Sequence, residues 1–88
     1  MHMWQRQIRM NQLPVGRMAR VTYLEGENAI RRRLQDIGLI EGTKIQCLQK
    51  SPAGDPTAYE IRGAVIALRG EDAKNIWVEC QSGERIWD

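Results

Sequence analysis

Cys47, Cys80 and His2 are the side chains of this 88-residue chain best suited to soft-metal ligation or to nucleophile and base pairing. Their spacing argues against both uses. The two cysteines are much farther apart than a Cys-x-x-Cys pair, and each falls in or beside an expected strand, where a thiol commonly serves as a small hydrophobe. His2, the sole histidine, lies at the terminus, so a zinc site would have to gather ligands from distant segments with no local spacing to bring them together. A nucleophile with a histidine base cannot be built on that one imidazole, and no Gly-x-x-x-x-Gly-Lys-Ser/Thr loop is present for a nucleotide phosphate. The chain reads as a non-enzyme with no cofactor and no metal site. The remaining chemistry is electrostatic: Arg31, Arg32 and Arg33 are consecutive and could clamp an acidic partner, or simply form a solvated face.

The elements that must carry these residues are short. Leu13-Pro14-Val15-Gly16 is a turn that launches a strand over residues 17–24, with Ala19, Val21 and Tyr23 on one face and Arg20 and Thr22 on the other. Asn28 is the expected N-cap of a helix whose Ile30, Leu34 and Ile37 form one apolar stripe at i, i+4, i+7. At about 100° per residue, the three arginines fan around its outer half. Gly38 stops the helix; if it is the left-handed C′ residue, Leu39 meets Leu34 in a Schellman ending, which gives Leu34 a structural duty.

Residues 43–49 alternate again, with Ile45 and Cys47 opposite Lys44 and Gln46. The following loop, Ser51-Pro52-Ala53-Gly54-Asp55-Pro56, is fixed in shape by its prolines and glycine. Residues 59–62 and 64–69 form a hairpin about Arg62-Gly63, the glycine taking a positive φ. A helical turn over residues 70–74 and a closing strand over 76–79 complete the set. Five strands with one inserted helix and a short helical turn before the last strand predict a mainly β fold, most simply a small closed barrel. Residues 1–11 are read as an N-terminal extension, 12–79 as the domain and 80–88 as a C-terminal tail whose Ile86-Trp87 could pack on the barrel or on another copy. No internal repeat or low-complexity segment is seen.

A chain of this length buries only about 60 % of the surface its unfolded form exposes, leaving one modest core and little room for an internal cavity. The net charge of +2, from 13 basic and 11 acidic side chains, lacks the basic excess that phosphate neutralisation along a duplex needs, so nucleic acid is not an expected partner. The longest apolar run, Ala64 to Leu68, is five residues. A membrane-spanning helix needs about 20. No apolar stretch like that of a secretory signal opens the chain, so it is expected in the cytosol.

Across residues 12–79 the chain resembles the FeoA family, the small cytosolic component of bacterial ferrous-iron uptake. The resemblance rests on Leu13-Pro14-Val15-Gly16, Arg33-Leu34-Gln35-Asp36-Ile37-Gly38-Leu39 with Glu41-Gly42-Thr43, Gly54-Asp55-Pro56, and Glu60-Ile61-Arg62-Gly63 with Ala67-Leu68-Arg69, in that order. It implies an SH3-like barrel. It also implies a FeoB-type partner, a polytopic ferrous transporter with a cytoplasmic GTP-hydrolysing domain, which the chain would serve as accessory or regulator and which alone would bring it to the membrane. A similar module forms the C-terminal domain of metal-dependent repressors, so the alternative is a metal-responsive module using Cys47, Cys80 or His2 with carboxylates.

The expected docking surface combines Arg31, Arg32 and Arg33, the helix end around Leu34 and Leu39, and Pro52, Gly54, Asp55 and Pro56 of the loop. Against this, Leu34 and Leu39 fit core positions, Gly38 and Gly63 fit backbone requirements, and the loop residues fit turn formation. A proline-rich ligand needs an aromatic-lined groove, for which only Tyr23, Tyr59 and Trp77 are on hand within the domain. A peptide added to a strand edge is compatible with the sequence.

Overall fold

The computed structural model describes residues 6–80. The expectations for His2 and the Ile86-Trp87 tail lie outside the described residues. Strands β1 (Arg6–Arg9), β2 (Met18–Leu24), β3 (Lys44–Lys50), β4 (Thr57–Ile61), β5 (Ala64–Leu68) and β6 (Ile76–Cys80) are joined by helices α1 (Asn28–Asp36) and α2 (Gly70–Ala73) and by a 3-10 turn at Met10–Gln12. The mainly β expectation holds. The strands form one antiparallel sheet in the order β1-β6-β2-β3-β4-β5.

Three differences from the sequence reading have local causes. Among the described residues the sheet has six hydrogen-bonded strands in an open row with β1 and β5 at its ends, not five in a closed barrel. The additional strand comes from residues read as an extension: Arg6–Arg9 pairs along β6, and Met10 behind it is fully buried. The Tyr59 hydroxyl donates to the Met10 carbonyl oxygen at 3.2 Å, fastening that segment into the core. The third difference is Tyr23. A register shift between Val21 and Tyr23 inserts Thr22 as a bulge residue, so Val21 pairs with the buried Val78 but Tyr23 pairs with Trp77 on the outer face and is 58 % exposed.

The expected alternation of β3 is present, with Ile45 and Cys47 buried and Lys44 exposed. They pack with Val21, Leu34, Leu39, Tyr59, Ile61, Ile76 and Val78 in a single core. Both cysteines are buried. The hairpin turn has φ 53° at Arg62 and 87° at Gly63. Positive values at both central residues belong to a type I′ turn, whose twist matches that of the flanking strands.

Candidate partner-docking surface

Helix α1 is set by its two ends. Its N-cap is Glu27 rather than Asn28, and the cap makes no side-chain hydrogen bond. Asn28 is instead the first helical residue, and its Oδ1 accepts from Arg31 at 2.6 Å. The C-terminus is the expected Schellman motif. The Leu39 N–H donates to Leu34 O at 3.1 Å and the Gly38 N–H to Gln35 O at 2.9 Å, with Gly38 at φ 100°. Leu34 is 1 % exposed and Leu39 fully buried. This corrects their expected place on the docking surface: the closing contact that ends the helix draws both inward, so they shape the surface from beneath and offer it no area.

The three arginines divide in role. Arg31 bonds back to its own helix start, to Asn28 and to Gly26 O at 3.4 Å. Arg33 reaches across to α2 and pairs with Asp72, Nη2 to Oδ1, at 2.6 Å. Arg32 is exposed and makes no ion pair or hydrogen bond among the described residues. The expected basic cluster is thus one free guanidinium and two committed ones.

The loop is anchored to the same short helix. Within it, the Gly54 N–H donates to Ser51 O at 2.7 Å and the Ser51 N–H to Pro56 O at 3.1 Å. Asp55 Oδ1 accepts the N–H of Gly70, the first residue of α2, at 2.9 Å. Asp55, Pro56, Arg69 and Glu71 line an open groove of about 450 Å³ there. Pro52, Ala53 and Gly54 are exposed. Helix α2 therefore joins the two expected segments: Asp72 holds α1 through Arg33, and Gly70 holds the loop through Asp55. Sequence reasoning missed this bridge. Its signal was the pair of acids at the start of α2, which complement the helix N-terminus and leave one carboxylate for Arg33.

A second polar cluster was missed altogether. Glu25 Oε1 accepts from Arg9 Nη1 at 3.0 Å and from the Trp77 indole N–H at 3.1 Å. Arg9 also donates to Lys74 O at 2.7 Å and lies over the Trp77 ring, 4.4 Å from its centroid. The indole hydrogen bond first, and the Arg9 guanidinium second, hold the Glu25 carboxyl below the usual carboxylate range. With Tyr23 paired beside Trp77, the outer face of β2 and β6 carries two adjacent aromatics, one of them covered by a cation.

Among the described residues, no group of three or more His, Cys, Asp or Glu side chains is placed to hold a metal ion. Burial pushes the Cys47 thiol up, with nearby Lys50 opposing, which disfavours the thiolate that a metal would require. No helix among the described residues is long and apolar enough to cross a membrane.

Comparison with known proteins agrees with this architecture. Residues 8–80 match the family model described as FeoA domain. An Fe(2+) transport protein A/Fe(2+) transporter FeoB fusion protein of Porphyromonas gingivalis is 35 % identical over 72 residues, covering 82 % of this chain and 8 % of the fusion. The chain thus spans a small fraction of that relative. The solution structure of a FeoA protein from Chlorobium tepidum superposes with a TM-score of 0.80 at 35 % identity, covering 89 % of this chain and 74 % of the other. A Stenotrophomonas maltophilia FeoA complexed with zinc, described as a prokaryotic SH3 domain protein, gives a TM-score of 0.69 at 29 % identity, over 78 % of this chain and 86 % of its own. The fold is SH3-like.

Proposed function

The chain belongs to the FeoA domain family, and from that premise we propose that it is a non-catalytic accessory of bacterial ferrous-iron uptake that docks on the cytosolic side of a FeoB-type transporter. The observation that carries this reading is the Porphyromonas gingivalis relative, in which a similar module and a ferrous transporter share one polypeptide. Covalent linkage gives the module a high effective concentration at its neighbour, so even a weak contact is occupied. A free chain would have to make the same contact with surface alone.

The surface proposed for that contact is the face bridged by α2: exposed Arg32 on α1, and Pro52, Gly54 and Pro56 on the loop. Arg31, Arg33 and Asp55 hold it in shape through their bonds to Asn28, Asp72 and Gly70. Such a module regulates only by binding two states of the transporter unequally, and GTP hydrolysis would remain the transporter's own chemistry. The test is an amide NMR titration of the labelled chain with the detergent-solubilised transporter, with and without a GTP analogue. Broadening confined to residues 31–33 and 52–56, with a different extent in the two nucleotide states, is the expected result. Unchanged spectra in both would overturn direct docking.

A further inference from the structure

The two ends of the sheet are finished differently. At one end, β1 presents Arg6 and Arg9 along its short length, a charged edge of the kind that discourages further pairing. At the other end, β5 reads Ala64-Val65-Ile66-Ala67-Leu68, with no proline or charge, and its register with β4 runs unbroken from Ile61↔Ala64 to Thr57↔Leu68. None of the usual guards of an edge is present on it.

The backbone of β5 also faces outward in a definite pattern. A two-residue I′ turn makes Ile61 and Ala64 the hydrogen-bonded closing pair, and antiparallel pairs alternate from there. Val65 and Ala67 are therefore the non-hydrogen-bonded positions opposite β4, and they send their N–H and C=O groups to the free edge. Both residues are exposed, Val65 at 69 %.

From this edge we infer a binding site: β5 accepts, as a seventh strand, an extended segment of another protein that has an apolar centre and acidic ends. The ends are specified by Arg62 and Arg69, which flank the strand, are exposed, and make no ion pair among the described residues. Arg62 also shares two open grooves with Lys44, one lined as well by Glu41 and the other by Glu60. The acids nearby are mostly engaged or set back. Asp72 is held by Arg33 and Asp55 by the Gly70 N–H. Glu60 lies on β4, two strand spacings or about 10 Å from an added strand, roughly one Debye length. Glu71 and the still-charged Asp55 line one groove with Arg69, so the preference for an acid is stronger opposite Arg62.

A second copy of the chain fits this edge less well. Two β5 strands paired about a twofold axis at Ile66 would set Arg62 of one copy opposite Gly70 of the other, one position from its Arg69, which gathers like charge at both ends. The site does not depend on the transporter reading and stands or falls separately from it.

The probe is the peptide acetyl-Glu-Thr-Val-Thr-Val-Thr-Glu-amide, titrated into the labelled chain at about 0.1 M salt, beside its counterpart with lysine at both ends. Strand addition predicts shift changes and slowed hydrogen exchange concentrated at the Val65 and Ala67 amides, with the lysine peptide weaker by about tenfold or more. Arg62→Glu with Arg69→Glu should reverse that preference, and Val65→Pro, which removes an outward N–H, should abolish binding. Matching unfolding curves for the variants and the parent show that the fold is kept. No perturbation at millimolar peptide, equal response to both peptides, or changes centred elsewhere would overturn the site. Protection of Val65 and Ala67 that rises with chain concentration alone, together with dimers in sedimentation, would overturn it in favour of a second copy.

Discussion

Replacing Gly38 with alanine should lower the stability of this domain by about 1–3 kcal/mol, a figure assembled from two costs at the end of α1. The first is conformational. Gly38 has φ 100°, and an L side chain held in a left-handed conformation costs roughly 1–2 kcal/mol. The Schellman bonds from Gly38 and Leu39 to Gln35 and Leu34 keep the residue there, because relaxing φ would break both and pull Leu39 from the core. The second cost is steric. A Cβ on Gly38 would lie 2.9 Å from Arg62 Cδ, close enough that the side chain must move. Arg62 is exposed and flexible, so its shift to a poorer rotamer adds at most about 1 kcal/mol. For a domain of this size each kcal/mol corresponds to about 4–8 °C in Tm. Urea unfolding should show a lower midpoint with an unchanged slope, since the exposed surface is the same. Adding Arg62→Ala to Gly38→Ala should recover only the steric part. A Gly38→Ala protein within about 0.5 kcal/mol of the parent would refute the argument, because ordinary surface substitutions fall in that range.

Other outcomes follow from the core and the polar clusters. Tyr59→Phe removes one of the two donors to the Met10 carbonyl oxygen, which keeps the Leu13 N–H at 3.1 Å, and should cost about 0.5–1.5 kcal/mol in urea unfolding. Burial pushes the Tyr59 hydroxyl up to about 12, so the native state holds a proton that the unfolded state has lost. Stability should therefore fall as pH rises from about 10, the ordinary tyrosine value, toward 12, and Tyr59→Phe should flatten that decline in circular dichroism. Glu25 has the opposite sign: its carboxyl is held below the usual range, so its contribution is present above the ordinary carboxylate pKa and disappears as pH falls through the lowered one. Acid unfolding of Glu25→Gln should show a shallower dependence in that window than the parent. The Arg33–Asp72 pair is half exposed, and Arg33→Ala should change stability by less than about 1 kcal/mol in chemical denaturation. A larger loss would mean that α2 is fastened mainly by that bond.

What could be read in advance depended on how local each determinant is. The Schellman ending was legible because Leu34, Gly38 and Leu39 lie within six consecutive residues and satisfy one geometric rule, and the I′ hairpin was legible from Arg62-Gly63 between two apolar runs. Strand β1 was hidden because an edge strand has no full apolar face: in Arg6-Gln7-Ile8-Arg9 only Ile8 and Arg9 are even partly buried. Tyr23 was misplaced because one bulge residue, Thr22, shifts the period of two on which the reading rests, and a bulge leaves no composition signal. The grouping of the residues proposed for docking was only half legible for a related reason. Its exposed residues could be named from sequence, but the bonds that gather them, Arg33 to Asp72 and Asp55 to Gly70, join residues 39 and 15 positions apart. Periodicity carries no information at those separations. The same distance in sequence makes the proposed surface a consequence of the fold: residues 31–33 and 52–56 would act together only while α2 holds both. Conditions that detach α2 should therefore weaken partner binding before they unfold the sheet.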